Sequence, residues 1–460
     1  MGVVGSLTAD GLGHITGGSI DVNDSLIMSS TGSPLTGSYT LDKNNRGIIA
    51  TTNSIGSVTQ PLAFAFSLKA DGSAGDLIEF DANNFVVAGT MKLQDRGAFS
   101  LAALASASGS FAFEFDSDVP SRYSTVGRFT LFANGTSSNA LADASNAGNG
   151  PVFTAKQLFA SFTASGPDGN GRSTMKMTVN GITTNYVYYV MNAANFFVLQ
   201  MAPSISNTLQ TGVASKQNLP FSSSTVDTTG SVFALTGSDA GVPRGISAVG
   251  FVQVKGSSTA ALTWDTNDAG RIFSDRSSTN GTISFDVNTG RGNLSLAGGS
   301  ANGLFDQAVF YLTDSGKGFM LDGSAGASNR ALAGSMEAQI GGPFSGETVS
   351  GATIVRSLGP SISATMNEQE AAEGVVSKTL SGNNFAVTTT SDFTSQSGSP
   401  MSNLVSSFTE AFAIDPNTGR GTLTSAANTS VFYIIGPTQY VTIDQMPRPN
   451  SAAIKFADPQ

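Results

Sequence analysis

Short segments in which apolar and polar residues alternate run along the chain, separated by turns rich in Gly, Asn and Asp. Alternation with a period of two puts one set of side chains on each face of a strand, and no helical period interrupts it. The pattern predicts an all-β protein. Its clearest stretch holds eight consecutive segments, at 111–115, 126–132, 140–143, 158–164, 172–179, 183–191, 196–201 and 212–217.

Several markers recur at nearly one period, which indicates internal repeats. A hairpin turn that contains Asp and Arg returns with its arginines 126, 119 and 129 residues apart. A closing segment with Gly five positions before Gln ends at Gln94, Gln217 and Gln339, which are 123 and 122 residues apart. We therefore predict four units, at 1–94, 95–217, 218–339 and 340–460. The turn residues are Asp42, Arg46, Asp168, Arg172, Asp286, Arg291, Asp415 and Arg420.

The first unit lacks the segment with which the others begin. Units 2, 3 and 4 start with GSFAFEF at Gly109, GSVFAL at Gly230 and GATIV at Gly351. The stretch VGSLTADG at the start of the chain instead aligns with VGRFTLFANG, which follows GSFAFEF in unit 2. We therefore expect unit 1 to be short of its first strand, unless the natural start lies upstream.

Eight sequential strands joined by tight turns form a meander that can close on itself. We predict four tandem antiparallel up-and-down β-barrels, which resemble lipocalin and avidin barrels in layout only, and we keep a β-sandwich as the alternative. A Phe-Ser pair stands at a fixed place in each linker, and we expect its Phe to dock on a barrel. The resulting expectation is a semi-rigid rod of four units with contacts between neighbours.

The amino-acid composition limits the classes of function that this protein can have. Charged residues make up only 12% of the chain and the net charge is −10, which argues against nucleic acid and anionic membrane surfaces as partners. The chain has no Cys and one His, so thiol catalysis is excluded and zinc is disfavoured. No apolar run is long enough for a transmembrane helix. We expect no cofactor.

The recurring acidic residues are interpreted as structural. The turn Asp resembles the start of a calcium loop, but the glutamate that such a loop requires does not follow, so we favour a capped turn. A second Asp recurs near the end of the third strand, and a buried pair between it and the turn Arg is conceivable. Its copies are Asp21, Asp143, Asp265 and Asp392.

Trp264 is the only tryptophan and a possible ligand contact. A lone exposed Trp can stack on a sugar ring, whereas a strand Trp more often belongs to the core. We expect no catalytic and no metal-binding residues. A pair of carboxylates in one cleft, as in glycoside hydrolysis, remains an alternative.

The tandem pattern GSFAF, VGxxTxxG, DxNxGRG and GxMxxQ, with FS between copies, resembles uncharacterised exported repeat proteins of soil bacteria, notably acidobacteria, which are often lipoproteins. The resemblance covers all four units and is weakest at 351–392. It implies an extracytoplasmic protein, secreted or at the cell surface, although this chain carries no signal peptide. It implies nothing catalytic.

These observations favour a non-catalytic extracytoplasmic repeat protein with a structural, adhesive or surface-layer role. One alternative is a set of barrels that each bind a small apolar ligand or a glycan, and a second is a carbohydrate-active hydrolase. A cell-surface polymer, a glycan or other copies of the chain are the partners that we consider.

Overall fold

The computed structural model contains one open antiparallel sheet and three closed eight-stranded antiparallel barrels. This confirms the all-β prediction and the tandem barrels, and it excludes the sandwich. The structure describes residues 2–460 except 25–26, 55–60, 82–85, 118–121, 148–149, 202–208, 223–229, 240–244, 257, 325–329, 361–368, 396–397, 427 and 446–452.

The open sheet, sheet 1, contains the first eight strands: β1 (Gly2–Ala9), β2 (His14–Asp24), β3 (Ile27–Pro34), β4 (Gly37–Tyr39), β5 (Arg46–Ser54), β6 (Pro61–Leu68), β7 (Ala74–Glu79) and β8 (Ala88–Lys92). Its order is β1-β2-β4-β5-β6-β7-β8, and β3 also pairs with β2. In the part of the chain that the structure describes, β1 and β8 form the two free edges of this sheet.

Barrel 2 comprises β9 (Ser110–Ser117), β10 (Tyr123–Leu131), β11 (Ser137–Asn146), β12 (Gly150–Phe162), β13 (Arg172–Val179), β14 (Ile182–Asn192), β15 (Asn195–Gln200) and β16 (Thr211–Lys216). Barrel 3 comprises β17 (Ser231–Asp239), β18 (Gly245–Lys255), β19 (Thr259–Asp268), β20 (Arg271–Phe285), β21 (Arg291–Ser295), β22 (Gln307–Asp314), β23 (Lys317–Asp322) and β24 (Arg330–Ala338). In each barrel the first strand pairs with both the second and the last.

Barrel 4 comprises β25 (Gly351–Pro360), β26 (Gln369–Ser381), β27 (Asn384–Ser395), β28 (Gly398–Ile414), β29 (Arg420–Thr424), β30 (Thr429–Gly436), β31 (Gln439–Asp444) and β32 (Ile454–Pro459). Among the described linker residues, two short helices are present, α1 (Leu101–Leu104) and α2 (Gly346–Val349). Short 3₁₀ turns span Arg96–Ala98 and Ser300–Asn302. The strands β8, β16 and β24 end just ahead of the unit boundaries predicted from the sequence.

Aromatic side chains fill the interior of barrel 2. The ring centroids of Phe111 and Phe196 lie 5.3 Å apart, and those of Phe113 and Phe129 lie 6.0 Å apart. Alternation along β9 turns three Phe residues to the interior, where each is at most 1% exposed. Barrel 3 has a comparable interior of Leu, Ile and Phe around Trp264. These cores account for the apolar half of the alternating pattern.

A second set of apolar clusters lies between neighbouring barrels. Val126 on the outer face of barrel 2 packs with Tyr311 and Phe319 of barrel 3, and Val249 of barrel 3 packs with Tyr433 of barrel 4. Val4 of sheet 1 packs in the same way against barrel 2. Strands that contact two cores, one inside and one outside, need apolar residues on both faces.

The four bodies form a cycle, and the prediction of a rod is wrong. Besides the three contacts between sequential neighbours, barrel 4 packs against sheet 1, where Ala371 meets Ala65 and Ile78. Arg356 of barrel 4 also pairs with Asp76 of sheet 1 at 3.1 Å. In a rod, these surfaces of barrel 4 and sheet 1 would be exposed to solvent. In the cycle, each covers the apolar and the charged residues of the other.

The linkers dock as the repeated Phe-Ser predicts. Phe221 and Phe344 are buried, and each packs on the turn glycine of the barrel that follows it. Phe99 takes the same position, so that a Cβ at Gly171 would lie 2.8 Å from its Cε1 atom. The turn glycines therefore serve two purposes, a positive φ and room for the linker ring.

Candidate functional site

The recurring third-strand aspartate lies at a β-bulge in every repeat. The pairing register shifts beside each of these residues, so that two residues of the next strand face one. The bulge residue has a positive φ and donates its backbone N–H to the aspartate Oδ1 at 2.8 Å. The bulge residues are Gly32, Ala155, Asp275 and Asn403. Each aspartate is thereby fixed with its carboxylate facing the neighbouring body.

The turn arginine of the following barrel binds this aspartate. Arg172 donates through Nε and Nη2 to the two carboxylate oxygens of Asp21, both at 2.7 Å. Arg291 binds Asp143 at 2.9 and 2.8 Å, and Arg420 pairs with the next copy at 2.8 Å through both nitrogens. Two parallel hydrogen bonds between ionised groups are the strongest form of such a pair. We call this arrangement the clamp.

A tyrosine completes each of these three clamps. Its hydroxyl donates to the aspartate Oδ2 at 2.6 to 2.8 Å. It stands directly opposite the arginine on the neighbouring strand, as in the Arg291–Tyr311 register pair. The other two tyrosines are Tyr189 and Tyr433.

The clamps are desolvated and electrostatically matched. The four aspartates are between 0% and 3% exposed. Burial and the neighbouring Asp143 carboxylate raise the pKa of Tyr311, so its proton stays in the hydrogen bond. The hydrogen bond from Arg172 to Asp21 raises the pKa of that arginine. Removing one partner of such a buried pair costs more than the pair itself contributes, because it leaves a charge without compensation.

A fourth clamp closes the cycle with altered chemistry. Arg46 of sheet 1 lies 2.6 Å from Asp392 of barrel 4 and 4.0 Å from Glu373. Register places Ser67 opposite Arg46, where the other clamps have tyrosine, and Glu373 opposite Asp392, where they have valine. Burial, reinforced by Asp392, raises the pKa of Glu373 to about 8.

The turn aspartates hold the hairpin that presents the arginine. Asp42 Oδ1 accepts the backbone N–H of Asn44 and of Arg46, and Asp168 does the same in barrel 2. Asp286 accepts the backbone N–H of Asn288 and of Thr289, and Asp415 accepts that of Asn417. All four turn aspartates therefore act as turn caps.

The closing glutamines bind the turn of the next body. Gln217 Nε2 donates to the carbonyl oxygens of Thr289 and Leu312 at 2.9 and 2.7 Å. Gln94 and Gln339 make the equivalent bonds. Gln460 donates to the carbonyl oxygen of Asn44 at 2.7 Å, the same place in the turn of sheet 1. The fourth glutamine therefore also acts across the cycle.

Trp264 lies in the core of barrel 3 and presents no ring face to solvent. It is 2% exposed, and its Nε1 donates to the carbonyl oxygen of Asn302 at 3.0 Å. Trp264 is therefore a core residue, as the second interpretation of the sequence proposed, and not a ligand contact. His14 is exposed, with Nδ1 2.8 Å from Asp10 Oδ2.

Among the described residues, no group of three or more His, Cys, Asp or Glu side chains is arranged to hold a metal ion. None of the helices in that part of the chain is long and apolar enough to cross a membrane.

The free edges of sheet 1 border a groove with a volume of about 870 Å³. Strands β1 and β8 form its two sides, and apolar side chains of sheet 1 such as Phe64 and Leu77 form its floor. Leu209 and Val213 of barrel 2 lie at its rim. The groove lies between two strand edges that have no partner on this side within the described structure, an arrangement that suits an extended chain.

Comparison of the chain with protein-family models and with curated proteins finds no match.

Proposed function

We propose that this is a non-catalytic, extracytoplasmic repeat protein with a structural or adhesive role. The supporting observation is where the recurring charged residues lie. Each third-strand aspartate and each turn arginine binds its counterpart in a neighbouring body, and each turn aspartate caps a turn. Residues that the repeats keep are therefore used to hold four rigid bodies in a cycle.

The two alternatives receive less support. The interior of barrel 2 is packed with Phe rings at van der Waals distances, which argues against a ligand inside it. Glu373 and Asp392 are two carboxylates in one clamp, and both are buried against Arg46. A hydrolase needs its pair in a cleft that admits substrate.

An activity screen with matched variants tests the non-catalytic role. The protein is incubated with glycosides, esters and phosphoesters, beside the variants Asp143→Asn, Asp265→Asn and Asp392→Asn. We expect no turnover that any one variant removes. Turnover lost in one variant that keeps the wild-type circular dichroism would overturn the proposal.

Protease treatment of intact source cells tests the location. An extracytoplasmic protein is cleaved on intact cells, while a cytoplasmic control protein is cleaved only after lysis. Full protection on intact cells together with cleavage after lysis would contradict the location.

A further inference from the structure

Sheet 1 differs from the barrels by the absence of one strand at a defined place. In barrel 2, β9 lies between β10 and β16, with eight register pairs to the first and six to the second. Strand β1 corresponds to β10, because Val4 stands opposite Asp21 as Val126 stands opposite Asp143. Strand β8 corresponds to β16 by its spacing from the closing glutamine. The groove therefore lies where a first strand would pair with both.

Gly89 has no neighbour in the described structure that requires a glycine. Its counterparts do: a Cβ at Gly212 would collide with the carbonyl oxygen of Glu114, and one at Gly334 with that of Ala234. Both carbonyls belong to first strands. A Cβ at Gly89 would meet only Leu77 Cδ1, at an ordinary 3.7 Å. The glycine fits a strand that comes as close to β8 as β9 comes to β16.

Gly5, on the opposite side of the groove, lacks the aromatic cover that its counterparts have, although a Cβ there would collide with the Ser19 carbonyl of β2. Its counterpart Gly127 is covered by Phe113 of the first strand, whose Cζ would lie 2.5 Å from an added Cβ. Gly250 is covered by Phe233 in the same way. The atoms nearest to Gly5 belong only to its other neighbour, β2. An aromatic ring on an incoming strand would find this position open.

The walls of the groove are apolar and incompletely buried. Val3, Leu7, Leu77 and Met91 pack against the core of sheet 1 without being enclosed by it. Strand edges with free N–H and C=O groups beside exposed apolar side chains bind extended peptides by strand addition. Backbone hydrogen bonds supply affinity, and alternate side chains supply specificity.

We propose that the groove of sheet 1 binds an extended strand of a separate polypeptide that carries the first-strand pattern of this repeat. The pattern has apolar residues at three alternate positions, of which the central one covers Gly5 and stands opposite Met91. In the chain itself, β9, β17 and β25 are each paired on both sides. A second copy would have to open a barrel to donate one, which favours a different polypeptide over a second copy as the source of the strand.

Peptide binding to the whole protein tests the proposal. The probe is a fluorescein-labelled peptide of sequence GSFAFEFDS, which is that of residues 109–117. Fluorescence anisotropy is expected to show saturable binding. The same peptide with Asp in place of its central Phe, at the position of Phe113, is expected to show none, because a carboxylate would face the apolar floor.

A matched pair of protein variants ties the binding to the groove. Gly89→Ala has room in the free protein and is expected to keep the wild-type melting temperature. It is expected to weaken peptide binding at least about tenfold, because the methyl group meets the incoming backbone. Gly17→Ala is the control, since a Cβ at Gly17 meets nothing within 4 Å and Gly17 does not line the groove.

Three results would overturn the proposal. The first is absence of saturable binding, and the second is equal affinity of wild-type protein and Gly89→Ala. The third is a dimer in light scattering that Gly89→Ala dissociates and the peptide does not, because it would assign the groove to a second copy.

Discussion

Two interfaces of the cycle are built around the same kind of clamp but from different residues. One lies between barrels 2 and 3, and the other, between barrel 4 and sheet 1, closes the cycle. Between barrels 2 and 3, Asp143 receives Arg291 and Tyr311 beside a broad apolar cluster. At the closing interface, Asp392 receives Arg46, a second carboxylate replaces a valine, and the buried apolar cluster is reduced to Ala65, Ile78 and Ala371.

The difference shows what the linker contributes. Barrels 2 and 3 are joined by a chain segment whose Phe221 docks on the turn of barrel 3, so their mutual position is already restricted. Barrel 4 and sheet 1 are separated by most of the sequence. The clamp between barrel 4 and sheet 1 must form without such a linker. It places two carboxyl groups, those of Asp392 and Glu373, beside the guanidinium of Arg46. The predictions that follow compare the two interfaces directly.

The largest expected effect is the loss of the clamp aspartate between barrels 2 and 3. Asp143→Ala leaves Arg291 and Tyr311 without their acceptor in a buried site, which costs about 3–5 kcal/mol of stability. Asp392→Ala is expected to cost less, because Glu373 can ionise and neutralise Arg46 in its place. Hydrogen exchange of β22 and β5, measured beside thermal unfolding, compares the two. Equal losses would contradict this account of the closing interface.

A second effect, smaller per pH unit, is the contribution of Glu373 at the closing interface to the pH dependence of stability. The pKa of Glu373 rises from 4.5 to about 8 on folding, so the folded protein keeps a proton that the unfolded chain has lost. Stability therefore falls as pH rises between these two values, by at most about 1.4 kcal/mol per pH unit. Glu373→Gln is expected to remove this contribution and so to reduce the slope of stability against pH in denaturant unfolding. An unchanged slope in the variant would show that Glu373 does not titrate this way.

The smallest expected effect on stability is the difference between two closing glutamines, Gln217 and Gln460. Gln217 is buried, donates to two carbonyls and accepts from Arg128 Nε at 2.9 Å. Gln217→Ala is expected to cost about 2 kcal/mol, and Gln460→Ala, which loses one partly exposed bond, about 0.5 kcal/mol. Thermal unfolding of the two variants measures the ratio. A larger loss at Gln460 would mean that the fourth turn depends on it more than its single bond suggests.

Most of the fold could be predicted from the repeat spacing, because each repeated sequence marker has a local structural cause. Period-two alternation and Gly-rich turns report a strand and its end, so the eight strands of barrel 2 could be read from the sequence. The spacing of Asp143 and Arg291 gave both partners of a clamp. It could not show that they come from different barrels, because a repeat makes contacts within and between units look alike in sequence.

Other parts of the site left weaker signals. The bulge residue that fixes each aspartate donates only its backbone N–H, so Gly, Ala, Asp and Asn all occur there. The tyrosines could have been found from their constant register opposite the turn arginine, although Ser67 breaks the series. Closure of the cycle depends on angles between barrels, which composition and periodicity do not encode.

Head-to-tail closure has a consequence for how such a protein can change over time. In an open array of repeats, a duplication or deletion adds or removes one copy and leaves every remaining contact intact. Here each body uses its aspartate on one neighbour and its arginine on the other, and the fourth returns to the first. A heterologous contact closes only at the number that its rotation allows. Gain or loss of a single copy would break the circle, so the number four is under geometric constraint.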